Sequence, residues 1–170
     1  MSSALVGCGA GPGVVSAIER AYSDKIYLVL PVLSANLYWQ PVRLGQRISI
    51  VPTSRAKAYK RTVGLLAIQA GIRRPMDGRL RMSIDFYPHR PQDFAKRARL
   101  RPDDWADTVQ AVDLGNVEKV LSDALNGIAW HDDKQLHDIH LRRHDPDEKG
   151  ERLVVTIQPI VKPKMAPELL

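Results

Sequence analysis

The sequence predicts an α+β domain, a small mixed β-sheet packed against two main helices. Three observations carry that expectation. Leu80, Met82, Ile84 and Phe86 alternate with Arg79, Arg81, Ser83 and Asp85, which is the period of a half-buried strand. Val117, Val120, Leu121, Ala124 and Leu125 recur at helical spacing and form one apolar stripe. The 170 residues, 44% of them apolar and 26% charged, suit one ordinary domain with its own core.

Taken in order, residues 1–24 begin with a stretch rich in Gly, Ser and Ala. The run Gly7, Gly9, Gly11 and Gly13 invites comparison with a phosphate loop. No strand precedes it, however, and Pro12 falls where the dinucleotide pattern needs its last glycine, so a flexible leader is expected. Ile26 to Leu33 is rich in β-formers and predicts the first strand, ended by Pro31 and the turn residues Ser34 to Asn36. Arg47 to Val51 predicts a second, short strand. Thr53 or Ser54 can cap a helix running to about Ala70, with Ala58, Leu65, Leu66 and Ile68 as its apolar positions and Gly71 closing it. The alternating segment Leu80 to Tyr87 follows.

His89 to Arg101 carries Arg90, Lys96, Arg97, Arg99 and Arg101 against one Asp and reads as a basic connector. The stretch to Val112 sets Asp103, Asp104 and Asp107 around Trp105, as in an inserted loop or short helix. A helix over Asn116 to Asn126 has Asn116 as its N-cap and Gly127 just past its end. Asn116, Lys119 and Asp123 line up on a flanking face of that helix. Gln135 to Arg143 and Leu153 to Ile157 predict the last strands, joined by the turn Asp145 to Gly150. The folded domain is thus expected over 25–158, followed by a Pro-containing arm over 159–170.

Net charge is +6, with a pI near 9.6, but its distribution is uneven. Pro102 to Glu148 holds twelve acidic side chains against four Lys or Arg, whereas the rest of the chain holds 21 basic and seven acidic residues. Basic surface neutralises phosphates while a few carboxylates hold a cation, a division that suits a metal-dependent nuclease. A solvated acidic face is the plain alternative. The longest apolar stretch, Ile26 to Leu33, is too short to span a bilayer, and no secretory signal is visible. The single cysteine, Cys8, cannot form an internal disulfide, so a cytoplasmic setting is expected. His140 and His144 have helical ligand spacing, but their segment reads as a strand and no partner Cys exists; with His131 and His137 they are expected at the surface. No Ser/His/Asp or Cys/His arrangement points to covalent catalysis.

The candidate chemistry lies between Asp113 and Gln135. Asp113 precedes the second main helix, and Asp132 and Asp133 follow it, so only tertiary packing can bring them to one place. In this segment Asp113-Leu114, Asn116, Lys119, Asp123-Ala124-Leu125, Trp130 and Asp132-Asp133 follow one another. Upstream stand Leu30-Pro31, Ser34, Asn36 and Tyr38, then a basic strand and a helix opening near Ser54. In these features the chain resembles the RusA family of Holliday junction resolvases, over about Lys25 to Ile157.

The resemblance implies a homodimer acting on branched DNA, a four-way junction, with no membrane association, and it fits a prophage setting. It implies that Asp113 and Asp133 are catalytic and that Lys119 approaches the scissile phosphate. Mg²⁺ or Mn²⁺ would be held by Asp113, Asp133 and Asp132, since carboxylates suit hard cations. Arg90, Lys96, Arg97, Arg99, Arg101 and Asn116 would hold the DNA. Each position also has a structural reading. Asp113 can serve the helix start, Asp133 a turn, Lys119 a solvated face, Asp123 a pair with Lys119, and Trp130 the core. The chain departs from the family at Gly115, where the family motif carries a second Asp. Two further readings therefore stand beside an active junction nuclease: a junction-binding protein with weak or no cleavage, and a basic RNA-binding domain.

Overall fold

The computed structural model describes residues 25–161. The expected leader, with Cys8, and the expected arm beyond residue 161 lie outside the described residues. Strand β1 (Ile26–Leu30) stops at Pro31, three residues earlier than the β-forming run suggests. A hairpin follows, β2 (Trp39–Leu44) and β3 (Arg47–Pro52), turning at Gly45, whose φ of +63° suits a residue without Cβ. Sequence reading missed β2. Its Pro41 argues against a central strand, and the hairpin is a separate two-stranded sheet, where a missing N–H is tolerated.

Helix α1 (Ser54–Gln69) is capped as expected. The Thr53 hydroxyl accepts from the Ala56 N–H at 3.1 Å and donates to the Leu37 carbonyl at 2.8 Å. Its buried face is not the expected one. Ala56, Tyr59, Val63 and Ala67 pack inward, while Leu65 and Ile68 remain 63% and 50% exposed. Both sets suit a helical period. Gly64, next to that face, sits close to Ile128, whose Cδ1 an added Cβ would meet at 3.3 Å.

The alternating segment forms β4 (Leu80–Tyr87), with Leu80, Met82, Ile84 and Phe86 all buried. The expected basic connector contains a short helix, α2 (Phe94–Leu100), and the acidic stretch after it holds one 3₁₀ turn at Trp105–Thr108. Helix α3 (Leu114–Leu125) begins two residues before the expected cap, with Asp113 rather than Asn116 in the N-cap position. It ends at Asn126 and Gly127, whose φ is +76°. Strands β5 (Leu136–Arg143) and β6 (Arg152–Pro159) complete the fold.

The main sheet runs β1-β6-β4-β5. β6 pairs antiparallel with β1 and β4, whereas β4 and β5 are parallel, Leu80 facing Leu136 and Phe86 facing Arg143. α1 and α3 contribute the helical side of one core, in which Val63, Val117, Leu121 and Leu125 pack with Leu28, Met82, Phe86 and Val155. The mixed sheet and its two main helices match the expected α+β class. No helix among the described residues is long and apolar enough to cross a membrane.

Leu121 is fully buried in α3, and Leu121→Ala is expected to cost about 2–5 kcal/mol in a denaturant titration. At the turn before β6, Arg152 donates to both Asp147 oxygens, at 2.7 and 2.6 Å. That hydrogen bonding holds the Asp147 carboxyl down at about 2, below its ordinary 3.8. A depressed carboxylate contributes stability above its unfolded value that is lost as pH falls through the folded one. Asp147→Asn is therefore expected to flatten acid unfolding between about pH 4 and 2 while leaving its slope above pH 5 unchanged.

Candidate active site

Parallel strands need a crossover, and α3 provides it between β4 and β5. Its start lies by the C-terminal ends of the strand pair, where the Arg143 guanidinium donates to the Val112 carbonyl at 3.1 Å. Its end lies by their N-terminal ends. There Gly127 N–H donates to the Trp130 carbonyl at 2.8 Å, and the Gln135 amide donates to the carbonyls of Met76 and Gly78 at 2.9 and 3.0 Å. Asp113 and Asp133 consequently stand at opposite ends of a twelve-residue helix, about 18 Å long at ~1.5 Å per residue. Among the described residues, no three His, Cys, Asp or Glu side chains are grouped to hold a metal ion.

Asp113 is exposed, and its side chain makes no capping hydrogen bond although its backbone (φ −65°, ψ 137°) is that of a cap. It lines a groove with Ser34, Asn36, Asn116 and Glu151, which places Asn116 beside it. At the other end, the indole N–H of the buried Trp130 donates to Asp133 Oδ1 at 2.8 Å. Asp132 has a structural task. Its carboxylate accepts from Lys134 N–H at 2.9 Å while Gln135 Oε1 accepts from the N–H groups of His131 and Asp132, a reciprocal cap on the turn that carries Asp133. Trp130 is core, as its structural reading had it.

Lys119 is exposed on α3, one turn before Asp123. The Asp123 carboxyl is pushed up from its ordinary value, first by burial and then by the charge of Asp133, with Lys119 and Lys60 offsetting part of the rise. Asp123 thus links the end of α3 to α1. With Tyr38, Trp39, Lys57 and Lys60 it lines a groove of about 300 Å³ between the hairpin and the two helices. Sequence reading placed Asp123 with Lys119 but missed Lys57, Lys60 and Trp39, which come from elements far apart in the chain. The signal available was the absence of any acidic residue around Lys57 and Lys60.

The basic residues of 90–101 divide. Arg90 lies 3.4 Å above the Phe94 ring and pairs with Glu148 at 3.3 Å. Arg97 donates to Asp93, and to the Thr108 carbonyl and hydroxyl at 3.1 and 3.0 Å. Arg101 pairs with Asp104. These three fasten α2 to the chain around it, whereas Lys96 and Arg99 are exposed and lack an ion pair among the described residues. The histidines separate as well: His131, His140 and His144 pair with Asp77, Asp138 and Asp85 respectively.

A family model described as endodeoxyribonuclease RusA matches residues 30–158. No curated protein matches the chain.

A carboxyl raised by folding destabilises the native state once pH rises through its folded value, so the Asp123 penalty is present at neutral pH and absent below the unfolded value. Asp123→Asn is expected to raise the melting temperature at pH 7 and to leave it unchanged near pH 3. A loss of stability at pH 7 would show that Asp123 is held by an interaction favouring its charge.

Proposed function

Because the chain belongs to the endodeoxyribonuclease RusA family, we propose that it resolves four-way DNA junctions by hydrolysing phosphodiesters with a divalent cation, acting in recombination and repair. The observation that carries this reading is the carboxylate of Asp113, which stands at a helix start yet makes no capping bond. An Asp in that position normally satisfies the first backbone N–H groups, so its disengagement leaves both oxygens for a ligand.

The donor set fits Mg²⁺ or Mn²⁺, since Asp113 and Asp133 offer hard oxygens. Both carboxylates reach one ion only if two copies meet. Asp113 of one protomer would then stand beside the partner's Asp133, which makes the homodimer a condition of the chemistry. The cation would supply acidity to a water and offset charge on the leaving oxygen. Trp130 fixes Asp133 through its indole N–H, and Asp132 fixes the turn that carries it. A ligand role for Asp132 competes with Lys134, whose backbone N–H donates to Oδ1 and whose ammonium lies 3.7 Å from Oδ2. Lys119 offers an ammonium to the scissile phosphate, and Asn116 offers its amide from the groove beside Asp113. Lys96 and Arg99 hold backbone phosphates, with Arg90, Arg97 and Arg101 positioning that segment. A cytoplasmic, prophage-borne enzyme is the setting this reading implies.

A second reading rests on Gly115, which replaces the motif's second Asp. Under it the chain binds junctions and cuts them poorly. A side chain at 115 is sterically free, since a Cβ there meets nothing within 4 Å.

Cleavage of a labelled four-way junction with Mg²⁺ or Mn²⁺, against linear duplex and an EDTA control, tests the function. Paired nicks confined to the junction are expected; tight binding without nicks under either metal selects the second reading. Asp113→Asn and Asp133→Asn are expected to abolish cleavage and spare binding, and the amide oxygen that Asp133→Asn introduces can still accept from the Trp130 indole. Mixing the two variants is expected to restore nicking in heterodimers, where one composite site is intact; recovery would be absent if each subunit held a whole site. Gly115→Asp is expected to stabilise α3 by about 0.5–1 kcal/mol, because a glycine in the first turn is replaced by an acidic residue that the helix N-terminus favours. The same variant is expected to raise the cleavage rate.

A further inference from the structure

From Lys25 to Met76 the chain carries nine Lys or Arg and no Asp or Glu. Among the described residues none of the nine forms an ion pair. Such surface is costly in self-repulsion unless a polyanion covers it. The fold also concentrates it. Lys57, Lys60 and Arg61 occupy the first two turns of α1, all exposed, and Lys57 and Lys60 line the same groove as Trp39 of β2. Hairpin register places Arg43 on the same face as Trp39, two pleats further on. Trp39 is 41% exposed and is held edge-on against the buried Tyr38 ring, with centroids 4.9 Å apart. Asp123, which also lines this groove, joins the surface to the end of α3, where the charge of Asp133 reaches it.

We propose that the face made by Arg43 and Trp39 of the hairpin and Lys57, Lys60 and Arg61 of α1 is the main surface that grips a duplex arm of the DNA by its phosphates. The inference rests on the junction-cutting reading and assigns its substrate surface to a region different from 90–101. Point-charge lysines and unpaired arginines, with no constellation aimed at base edges, hold backbone without reading sequence. The arm lying along α1 leads to the carboxylate end of α3, so grip and chemistry are contiguous.

The test measures affinity of the full chain for a four-way junction and for linear duplex, in EDTA, across a salt series. The variant Arg43→Gln/Lys57→Gln/Lys60→Gln/Arg61→Gln alters only exposed side chains. The wild-type slope of log affinity against log salt is expected to flatten by about 3 to 4, at ~0.9 for each phosphate no longer neutralised. Affinity at 0.1 M salt is expected to fall at least tenfold on both DNAs. Lys96→Gln/Arg99→Gln is a second variant, expected to flatten the slope by less than 2. If the wild type binds DNA and the quadruple variant, with an unchanged circular dichroism spectrum, keeps its slope, this surface is overturned and the nuclease reading survives. If the wild type binds neither DNA, that reading falls and the surface falls with it. Loss of binding to phosphatidylserine vesicles with DNA affinity intact would also overturn it, in favour of an anionic membrane.

Discussion

Parallel pairing of β4 with β5 obliges the chain to travel back along the sheet before the second strand can begin. Helix α3 makes that return, and the geometry of the candidate site follows from it. The residue that starts the crossover and the residue that ends it cannot be neighbours in one subunit. Asp113 is the first and Asp133 nearly the last. A motif that looks compact in sequence is thus spread over the full length of the helix, and no single subunit brings its two carboxylates together.

The far end of the crossover is built to be rigid. Trp130, fully buried, is tied to Asp133; Asp132 and Gln135 cap the intervening turn; and Gln135 reaches back to Met76 and Gly78. A carboxylate held by a buried indole loses little further entropy when it takes a ligand. At the near end, Asp113 is exposed and uncapped, flanked by short polar side chains. One end therefore offers a fixed carboxylate and the other an accessible one.

Electrostatics divide along the same lines. The hairpin and α1 carry positive charge alone, while the acidic side chains concentrate from Pro102 onward. Within that second half many charges compensate one another, as in Arg101 with Asp104 and Arg152 with Asp147. The first of these pairs is exposed and contributes little energy, whereas the Arg152 side chain is largely covered. Charge counted along the chain does not show that Arg90, Arg97 and Arg101 have acidic partners while Lys57, Lys60 and Arg61 form no ion pair among the described residues.

Periodicity made β4 and α3 legible, because each buries one face against the same core and a single phase satisfies the pattern. The cap at Thr53 and the glycine past α3 were legible for a local reason, since they answer hydrogen-bonding and φ requirements within a few residues. Class, core strands and the motif that singles out Asp113, Lys119 and Asp133 were thus determined by the sequence alone. Tertiary structure decided the rest. It chose Ala56, Tyr59, Val63 and Ala67 over Leu65 and Ile68, because where two faces of a helix share one period only the neighbouring elements fix which face turns inward. It paired the edge hairpin around Pro41, drew Lys60 beside Asp123 from a helix much earlier in the chain, and set the candidate carboxylates at opposite ends of α3. Those outcomes depend on which elements neighbour one another in space, and no local pattern along the chain records that.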